Sequence, residues 1–138
     1  HLGLGFMLQR YAGFLNHTNR TGDVMGEARG GSEDRLLKQS YMHVHERGAW
    51  QMKASQFQSA LTSSELKLKT KHANIAGLQL ADLLGHPFKQ WILAANGMAE
   101  SCISPFAQSL VDIAESKLNR QMYTGRVDGY GTVTFPRK

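Results

Sequence analysis

The 138-residue chain is 41% hydrophobic and 20% charged, carries a formal net charge of +5 and contains one cysteine. This composition is typical of a globular domain and excludes a disordered or fibrous protein. One cysteine also excludes an internal disulfide and a thiolate metal cluster, so we expect a protein of the reducing cytoplasm. No apolar run reaches the ~18 residues of a membrane span, and we expect no membrane partner. The basic residues are spread along the chain, which permits contact with nucleic acid without requiring it.

The first part of the chain is predicted to contain two helices and a strand. Apolar residues recur at helical spacing over residues 2–16, and a polar turn follows. Residues 23–28 alternate as in a strand, which ends before two glycines. Ser32 is a suitable N-cap for a second helix that Gly48 would end. The apolar faces of these two helices are formed by Leu4, Met7, Tyr11, Phe14 and Leu15 and by Leu36, Leu37, Tyr41 and Val44.

The middle of the chain is predicted to contain a helical turn, a second strand and an apolar helix. Phe57 indicates one helical turn, and strict alternation over residues 65–69 indicates a strand whose two leucines face the core. The apolar helix covers residues 74–84 and begins at its cap, Asn74. Pro87 disfavours a helical residue before it, so we expect a kink or a new helix start there.

The last part of the chain is predicted to be a helix followed by a short extended end over residues 129–136. Ser104 is a suitable cap and Pro105 fits the first helical turn. The apolar face of this helix is formed by Phe106, Leu110, Ile113, Ala114 and Leu118. The order of elements predicts an α/β fold with a single domain over residues 1–138. Two or three strands are too few for a complete sheet, so we expect the missing strands to precede His1.

Glu27 is the first candidate functional residue. It lies near the end of a predicted strand and is followed by Arg29 and two glycines, which allow a ligand to approach the backbone closely. Strand ends are common positions for catalytic groups in α/β folds. The alternative is a solvent-facing glutamate that pairs with Arg29 or with a lysine.

Gln79 and Asp82 form the second candidate site. They are three residues apart on a predicted helix, so their side chains lie on the same face. The rest of that segment is Leu, Ile and Ala, and a carboxylate buried there would be costly without a partner. It would suit an oxygen-rich site for Mg²⁺ or Mn²⁺, since these ions favour carboxylate and water ligands. The alternative is an ion pair of Asp82 with Lys67, Lys69 or Arg29.

Other catalytic and binding sites find little support in the sequence. The histidines are poorly spaced for a metal, since His43 and His45 fall on different faces of the predicted helix. The sequence contains no HExxH motif, paired cysteines or nucleophile elbow, which argues against zinc enzymes and serine hydrolases. The pair Gly30 and Gly31 is not followed by the Lys-Ser/Thr of a phosphate-binding loop.

Three segments of the chain resemble the domain-of-unknown-function 3800 family of bacterial and phage proteins. Residues 23–30, with the acidic pair at 33–34, are similar to the family's strand-borne glutamate, which is followed by an arginine and an acidic helix start. Residues 76–83 are similar to its Gln-x-x-Asp motif, and residues 129–136 resemble its usual ending. The resemblance spans nearly the whole chain, and the context of the Gln-x-x-Asp motif is fairly specific.

This resemblance implies a partial RNase H-like fold and a metal-dependent nuclease. In such enzymes, carboxylates from separate elements hold two divalent ions, here Mg²⁺ or Mn²⁺, against a phosphodiester. Glu27 and Asp82 would be two of the metal-binding carboxylates, and Gln79 would assist Asp82. Arg29 and Lys67 would contact phosphate. Under this hypothesis the carboxyl groups of Glu27 and Asp82 converge within roughly 8 Å.

One element of the family pattern is absent from the sequence. An Asp-Glu-Ser motif on the first strand should supply the central carboxylate, and these 138 residues do not contain it. We therefore expect the chain alone to be inactive and to need a preceding segment or a dimer partner to cover its sheet edges. The alternative is a non-catalytic interaction module of a mobile element or defence locus, in which Gln79 and Asp82 belong to a structural polar network.

Overall fold

The structure, a computed structural model, describes residues 2–98 and 104–134 of the chain. The residues fall into two compact units, a first unit from His1 to Ile75 and a second unit from Ala76 to Lys138. Helices and a small sheet are both present, which confirms the predicted α/β class. The RNase H-like fold and the single domain stay predictions.

The first helix, α1, spans Leu2–His17 and confirms the helix expected there. The predicted apolar face is wrong in part: Leu15 is buried and Leu4 packs on the core, but Met7 is 70% exposed and the rest of the buried stripe is a neighbouring one. Two members of the buried stripe have little or no side chain, so they contribute weakly to a hydrophobic pattern although they allow close packing. The buried residues of α1 are Gly5, Leu8, Ala12 and Leu15.

The second helix, α2, spans Gly31–Arg47, and its start differs from the prediction. The N-cap is Gly30 with φ 89°, so Ser32 lies inside the first turn and the predicted cap is wrong. The physical reason is a competing side chain: the Asp34 carboxylate accepts hydrogen bonds from the backbone N–H groups of Arg29 and Gly30, at 2.9 and 3.0 Å. The predicted end at Gly48 is confirmed, with φ 79°.

The core of the first unit lies between its helices and the strand-bearing segments. A third helix, α3, spans Ala54–Ala60 and extends the single turn predicted around Phe57. Phe57 and Tyr41 are fully buried, and they are the largest side chains of this core. The buried cluster consists of Leu8, Ala12, Leu15, Tyr41, Val44, Phe57, Ala60, Leu61 and Leu66.

Two short parallel strands, β1 (Met25–Glu27) and β2 (Lys67–Lys69), form the sheet of the first unit. Both lie within the predicted strand segments, and the Cα partners include Glu27 with Lys69. Ala28 N–H extends the pairing by donating to the Lys69 carbonyl at 2.8 Å. As predicted, the leucines that flank and occupy β2 pack on the core: Leu66 is buried and Leu68 is half-buried.

The second unit begins with α4, a single helix over Ala76–Ala95 that contains Pro87. Of the predicted alternatives, a kink or a new helix start at Pro87, the new start is therefore wrong. Proline in a helix interior costs about 3 kcal/mol, but Pro87 is the buried residue of α4, and its packing offsets part of that cost. The predicted start is also displaced by two residues, because Asn74 has φ 52° and ends a short 3₁₀ helix, Lys71–Ala73.

The last helix, α5, spans Pro105–Glu115 and begins as predicted, since the Ser104 hydroxyl accepts from Ala107 N–H at 3.2 Å. Its predicted apolar face is wrong in part: Phe106 and Ile113 are exposed, whereas Val111 is fully buried. Among the described residues, no helix combines the length and apolar character that crossing a membrane requires.

The predicted extended end of the chain forms a compact turn as far as the structure describes it. The Val127 carbonyl accepts from the backbone N–H groups of Tyr130 and Gly131, at 2.9 and 2.7 Å. These bonds reverse the chain direction, so the extended prediction is wrong for residues 129–132. Residues 135 and 136 of that prediction lie outside the described residues.

Candidate functional site

Glu27 lies at the end of β1 on the exposed face of the small sheet. Successive side chains of a strand point to opposite faces, and β1 and β2 share the pattern of exposed, half-buried, exposed residues. Glu27 is therefore beside Lys69 on the solvent side, with Met25 beside Lys67. The first unit thus presents a carboxylate and two lysines on one surface.

Lys67 is committed to a partner within this surface. Its ammonium donates to one oxygen of the Asp23 carboxylate, and the Thr62 hydroxyl donates to the other oxygen at 2.8 Å. Both bonds hold the pKa of Asp23 below its ordinary value, and the bond from Lys67 has the larger effect. The charge of Lys67 is thereby largely neutralised, whereas Lys69 forms no ion pair within the described part of the chain.

The loop after Glu27 is held by a side chain of α2. Because the Asp34 carboxylate binds the N–H groups of Arg29 and Gly30, the backbone that leaves β1 has a fixed path. The Arg29 side chain is exposed and has no polar partner among the residues that the structure describes. The loop therefore presents a free guanidinium two residues after Glu27.

The Glu27 carboxylate is itself uncommitted. In the described ranges, it forms no hydrogen bond and no ion pair with Arg29, with Lys69 or with any other residue. The two nearby aspartates behave differently, since Asp23 and Asp34 both serve the local structure. Glu27 is thus available to a ligand, and the pairing that we considered as its alternative role is not formed here.

Gln79 and Asp82 lie in the first two turns of α4, on one face as predicted. Both are exposed, and the leucine Leu80 between them is 56% exposed. The expected burial of this segment is therefore wrong, because α4 buries its Pro87 region and leaves its first turns accessible. The Asp82 carboxylate is solvated and makes no hydrogen bond or ion pair within the described residues of its unit.

Metal ligation by these carboxylates stays a prediction. Across residues 2–98 and 104–134, no three His, Cys, Asp or Glu side chains form a group that could hold a metal ion. Glu27 belongs to the first unit and Asp82 to the second, and their predicted convergence is untested. Mg²⁺ characteristically binds through one or two carboxylates together with waters and substrate phosphates, so single accessible carboxylates suit it.

One further feature, around Trp50, was not predicted from the sequence. Trp50 lies in a tight turn closed by two hydrogen bonds of 3.0 Å between the backbones of Ala49 and Met52. Its φ of 51° is one that bulky residues rarely adopt, and its side chain is 52% exposed. The ring stacks on Phe6 with 4.5 Å between centroids and 9° between planes. No periodic pattern could reveal this, because a single turn residue has no periodicity.

A cavity of about 390 Å³ opens beside this aromatic pair. Its walls come from the start of α1, from one face of α2 and from the Trp50 turn. Such a volume falls within the range of small-molecule sites. The lining residues are Leu2, Gly5, Gln39, Ser40, His43, Val44 and Trp50.

Comparison of the chain with models of known families, with curated proteins and with solved structures gives no match. The resemblance to the domain-of-unknown-function 3800 family thus rests on the sequence segments alone.

Proposed function

We propose that the chain is part of an RNase H-like, divalent-metal-dependent nuclease, with Glu27 and Asp82 as metal ligands and Gln79 as the residue that assists Asp82. The observation that carries this proposal is the uncommitted state of Glu27 at the exposed end of β1. Its neighbours Asp23 and Asp34 are tied to structural partners, whereas Glu27 is not. A carboxylate without a structural role at a strand end is a candidate for ligand binding.

The donor chemistry of these residues fits the proposed ions. Glu27 and Asp82 offer carboxylate oxygens, the ligands that Mg²⁺ and Mn²⁺ favour. When bound, such ions supply an activated water and stabilise the leaving oxygen of a phosphodiester. Accessible side chains are required for this role, because substrate and waters complete the coordination, and both carboxylates are exposed.

Phosphate binding follows from the free cations near Glu27. Arg29 and Lys69 are exposed and form no ion pair with other described residues, so both retain charge for a phosphate. The planar guanidinium of Arg29 suits bidentate recognition of phosphate oxygens. Lys67, the phosphate-binding lysine predicted from the sequence, shares its charge with Asp23, and we assign it the weaker contribution.

Metal binding tests this proposal more directly than turnover does, because the family's central Asp-Glu-Ser motif is not among these residues. We would titrate Mn²⁺ into the full chain and measure bound ion by electron paramagnetic resonance. The expected result is that Glu27→Gln and Asp82→Asn each weaken binding by about tenfold or more, a loss of about 1.4 kcal/mol.

The control variants are Glu46→Gln and Asp112→Asn. Glu46 is an exposed carboxylate of α2, and Asp112 is an α5 carboxylate that accepts from the Gln108 amide. Both should bind Mn²⁺ like the wild type. If the wild-type chain fails to bind Mn²⁺, or if all four variants bind it equally, the proposal is refuted.

A second candidate function is a non-catalytic interaction module, and α1 favours it. Met7, Tyr11 and Phe14 form an exposed apolar stripe at spacings of four and three residues, although another face of α1 already packs on the core. A helix with apolar residues on two faces is typical of one that is covered on both sides. We propose a second copy of the chain as the partner. Light scattering should then show a concentration-dependent dimer that Phe14→Glu abolishes, and a strict wild-type monomer would contradict it.

A further inference from the structure

We propose that Trp50, Phe6 and the cavity beside them form a binding site for a nucleobase, which stacks on the exposed indole ring. The inference rests on the proposed function, because unpaired bases belong to the nucleic-acid strands that such a nuclease would cleave. It adds a subsite that reads the base, whereas the metal and phosphate contacts read only the backbone.

The backbone at Trp50 is the first observation. The turn between Ala49 and Met52 places Trp50 at φ 51°, a region that suits glycine and that disfavours a bulky side chain. Unfavourable backbone geometry persists where the surrounding structure enforces it, and it clusters at binding sites. Here it holds a large aromatic ring that remains 52% exposed.

The packing of the ring on α1 is the second observation. Phe6 stacks against the indole at 4.5 Å, which fixes its plane. Gly5 gives the ring its space, because a Cβ at that position would lie 2.5 Å from Cη2 and 2.8 Å from Cζ3 of Trp50. The indole is thus held in one orientation, as a stacking platform requires.

The polar groups of the cavity are the third observation. Gln39 and His43 line it from α2, and in the described part of the chain neither side chain has a hydrogen-bond partner. The Ser40 hydroxyl, by contrast, donates to the Leu36 carbonyl at 2.9 Å. A free amide and a free imidazole provide both donors and acceptors. Unpaired bases are recognised by this combination of aromatic stacking and hydrogen bonds to their edges.

Tryptophan fluorescence provides the test, because the chain contains only two tryptophans. The Trp91→Phe variant isolates Trp50, and it would be titrated with AMP and UMP and, separately, with single-stranded oligodeoxythymidylate, all in EDTA. We expect quenching by the oligonucleotide. Quenching by mononucleotides as well identifies a site for free nucleotides, and quenching by the oligonucleotide alone identifies a site for a strand. No quenching by any of these ligands overturns the proposal.

A glycine pair in α1 provides the matched control. Gly5→Ala should displace the indole. The ligand concentration needed for half-maximal quenching should then rise at least about fivefold, which corresponds to the lower end of the energy range for one base stack. Gly3→Ala should leave quenching unchanged, since a Cβ at Gly3 meets no heavy atom within 4 Å. Equal effects of the two variants would refute the proposed platform.

Trp50→Gly removes the ring. Glycine readily adopts the backbone conformation of this position, so the turn should persist. Its affinity for a fluorescently labelled oligodeoxythymidylate, measured by anisotropy, should fall about fivefold or more. Unchanged affinity would overturn the base site and leave the nuclease proposal standing. Conversely, if Mn²⁺ does not bind but Trp50 is quenched by a nucleotide, the nuclease proposal fails and the base site stands.

Discussion

Lys67 and Asp23 form an ion pair that ties β2 to the segment before β1. The Thr62 hydroxyl completes the coordination of the carboxylate, so Asp23 joins three parts of the first unit. The pair also removes Lys67 from the free charge of the sheet surface. One interaction thus contributes to the register of the sheet and to the electrostatics around Glu27.

Acid should weaken this ion pair in a predictable range. The pKa of Asp23 in the folded chain lies below its ordinary value of 3.8, mainly because Lys67 and Thr62 donate to the carboxylate. The contribution of Asp23 to stability is therefore complete above pH 3.8 and is lost as the pH falls through the folded-state pKa. In urea unfolding between pH 6 and pH 2.5, we expect Asp23→Asn to reduce the loss of stability on acidification. Glu46→Gln is the control, and equal slopes for wild type and Asp23→Asn would contradict the prediction.

The Tyr41 hydroxyl should contribute measurably to stability. Its ring is fully buried, and its hydroxyl donates to the Ser63 carbonyl at 2.7 Å. Tyr41→Phe removes this donor, and we expect the free energy of unfolding to fall by about 1 kcal/mol. Tyr123→Phe is the control, because Tyr123 is 91% exposed. If Tyr41→Phe leaves the free energy of unfolding in urea unchanged, the hydrogen bond adds no net stability.

Alkaline pH should destabilise the chain through the same residue. Burial, followed by the charge of Asp23, raises the pKa of Tyr41 above its ordinary value of 10.0. Below pH 10 the hydroxyl is neutral in both states, but above it the unfolded chain loses the proton first, so stability falls as the pH rises. Thermal unfolding from pH 8 to pH 11 should show a decline that is smaller in Tyr41→Phe. Equal declines would refute the assignment.

The Asp34 carboxylate should control the mobility of the loop after Glu27. Asp34→Ala frees the N–H groups of Arg29 and Gly30, and hydrogen exchange at these two amides should accelerate. We expect a loss of stability of about 1–2 kcal/mol, as for the loss of a helix cap. Glu33→Ala, one residue earlier in the first turn of α2, should leave the exchange of these amides unchanged. Protection that survives Asp34→Ala would contradict the role of this carboxylate.

The start of α5 offers a test in the second unit. Ser104→Ala removes the oxygen that accepts from Ala107 N–H, and we expect a loss of about 1 kcal/mol. Ser109→Ala, within the same helix, should instead be neutral or stabilising by a few tenths of a kcal/mol, because alanine is the best helix former. Circular dichroism during urea unfolding distinguishes the two, and identical effects would exclude a capping role.

Residues whose role is local were predicted well from the sequence. The helix end at Gly48 and the cap at Ser104 depend on a few neighbouring positions, so their identity suffices. The strand that contains Leu68 was located because alternation is a short-range signal. Glu27 was placed correctly at the end of β1 for the same reason.

Features that depend on competing or distant groups were not predictable. Serine commonly caps helices, which is why Ser32 was predicted as the cap. The Asp34 carboxylate instead binds the loop amides, and Gly30 becomes the cap. Pro87 ends helices in isolation, whereas in α4 it is buried within a continuous helix. Trp50 was missed because its significance arises from contact with Gly5, which is 45 positions away in the sequence.

The parallel pairing of β1 and β2 has a consequence for how the first unit folds. Asp23 and Lys67, the ion pair at this sheet, are 44 positions apart, and α2 and α3 lie between them. Closing a loop of that length is entropically slow, whereas the helices form from nearby residues. We therefore expect closure of this loop to be part of the rate-limiting step of folding. A substitution that weakens the strand pairing should accordingly slow folding more than it speeds unfolding.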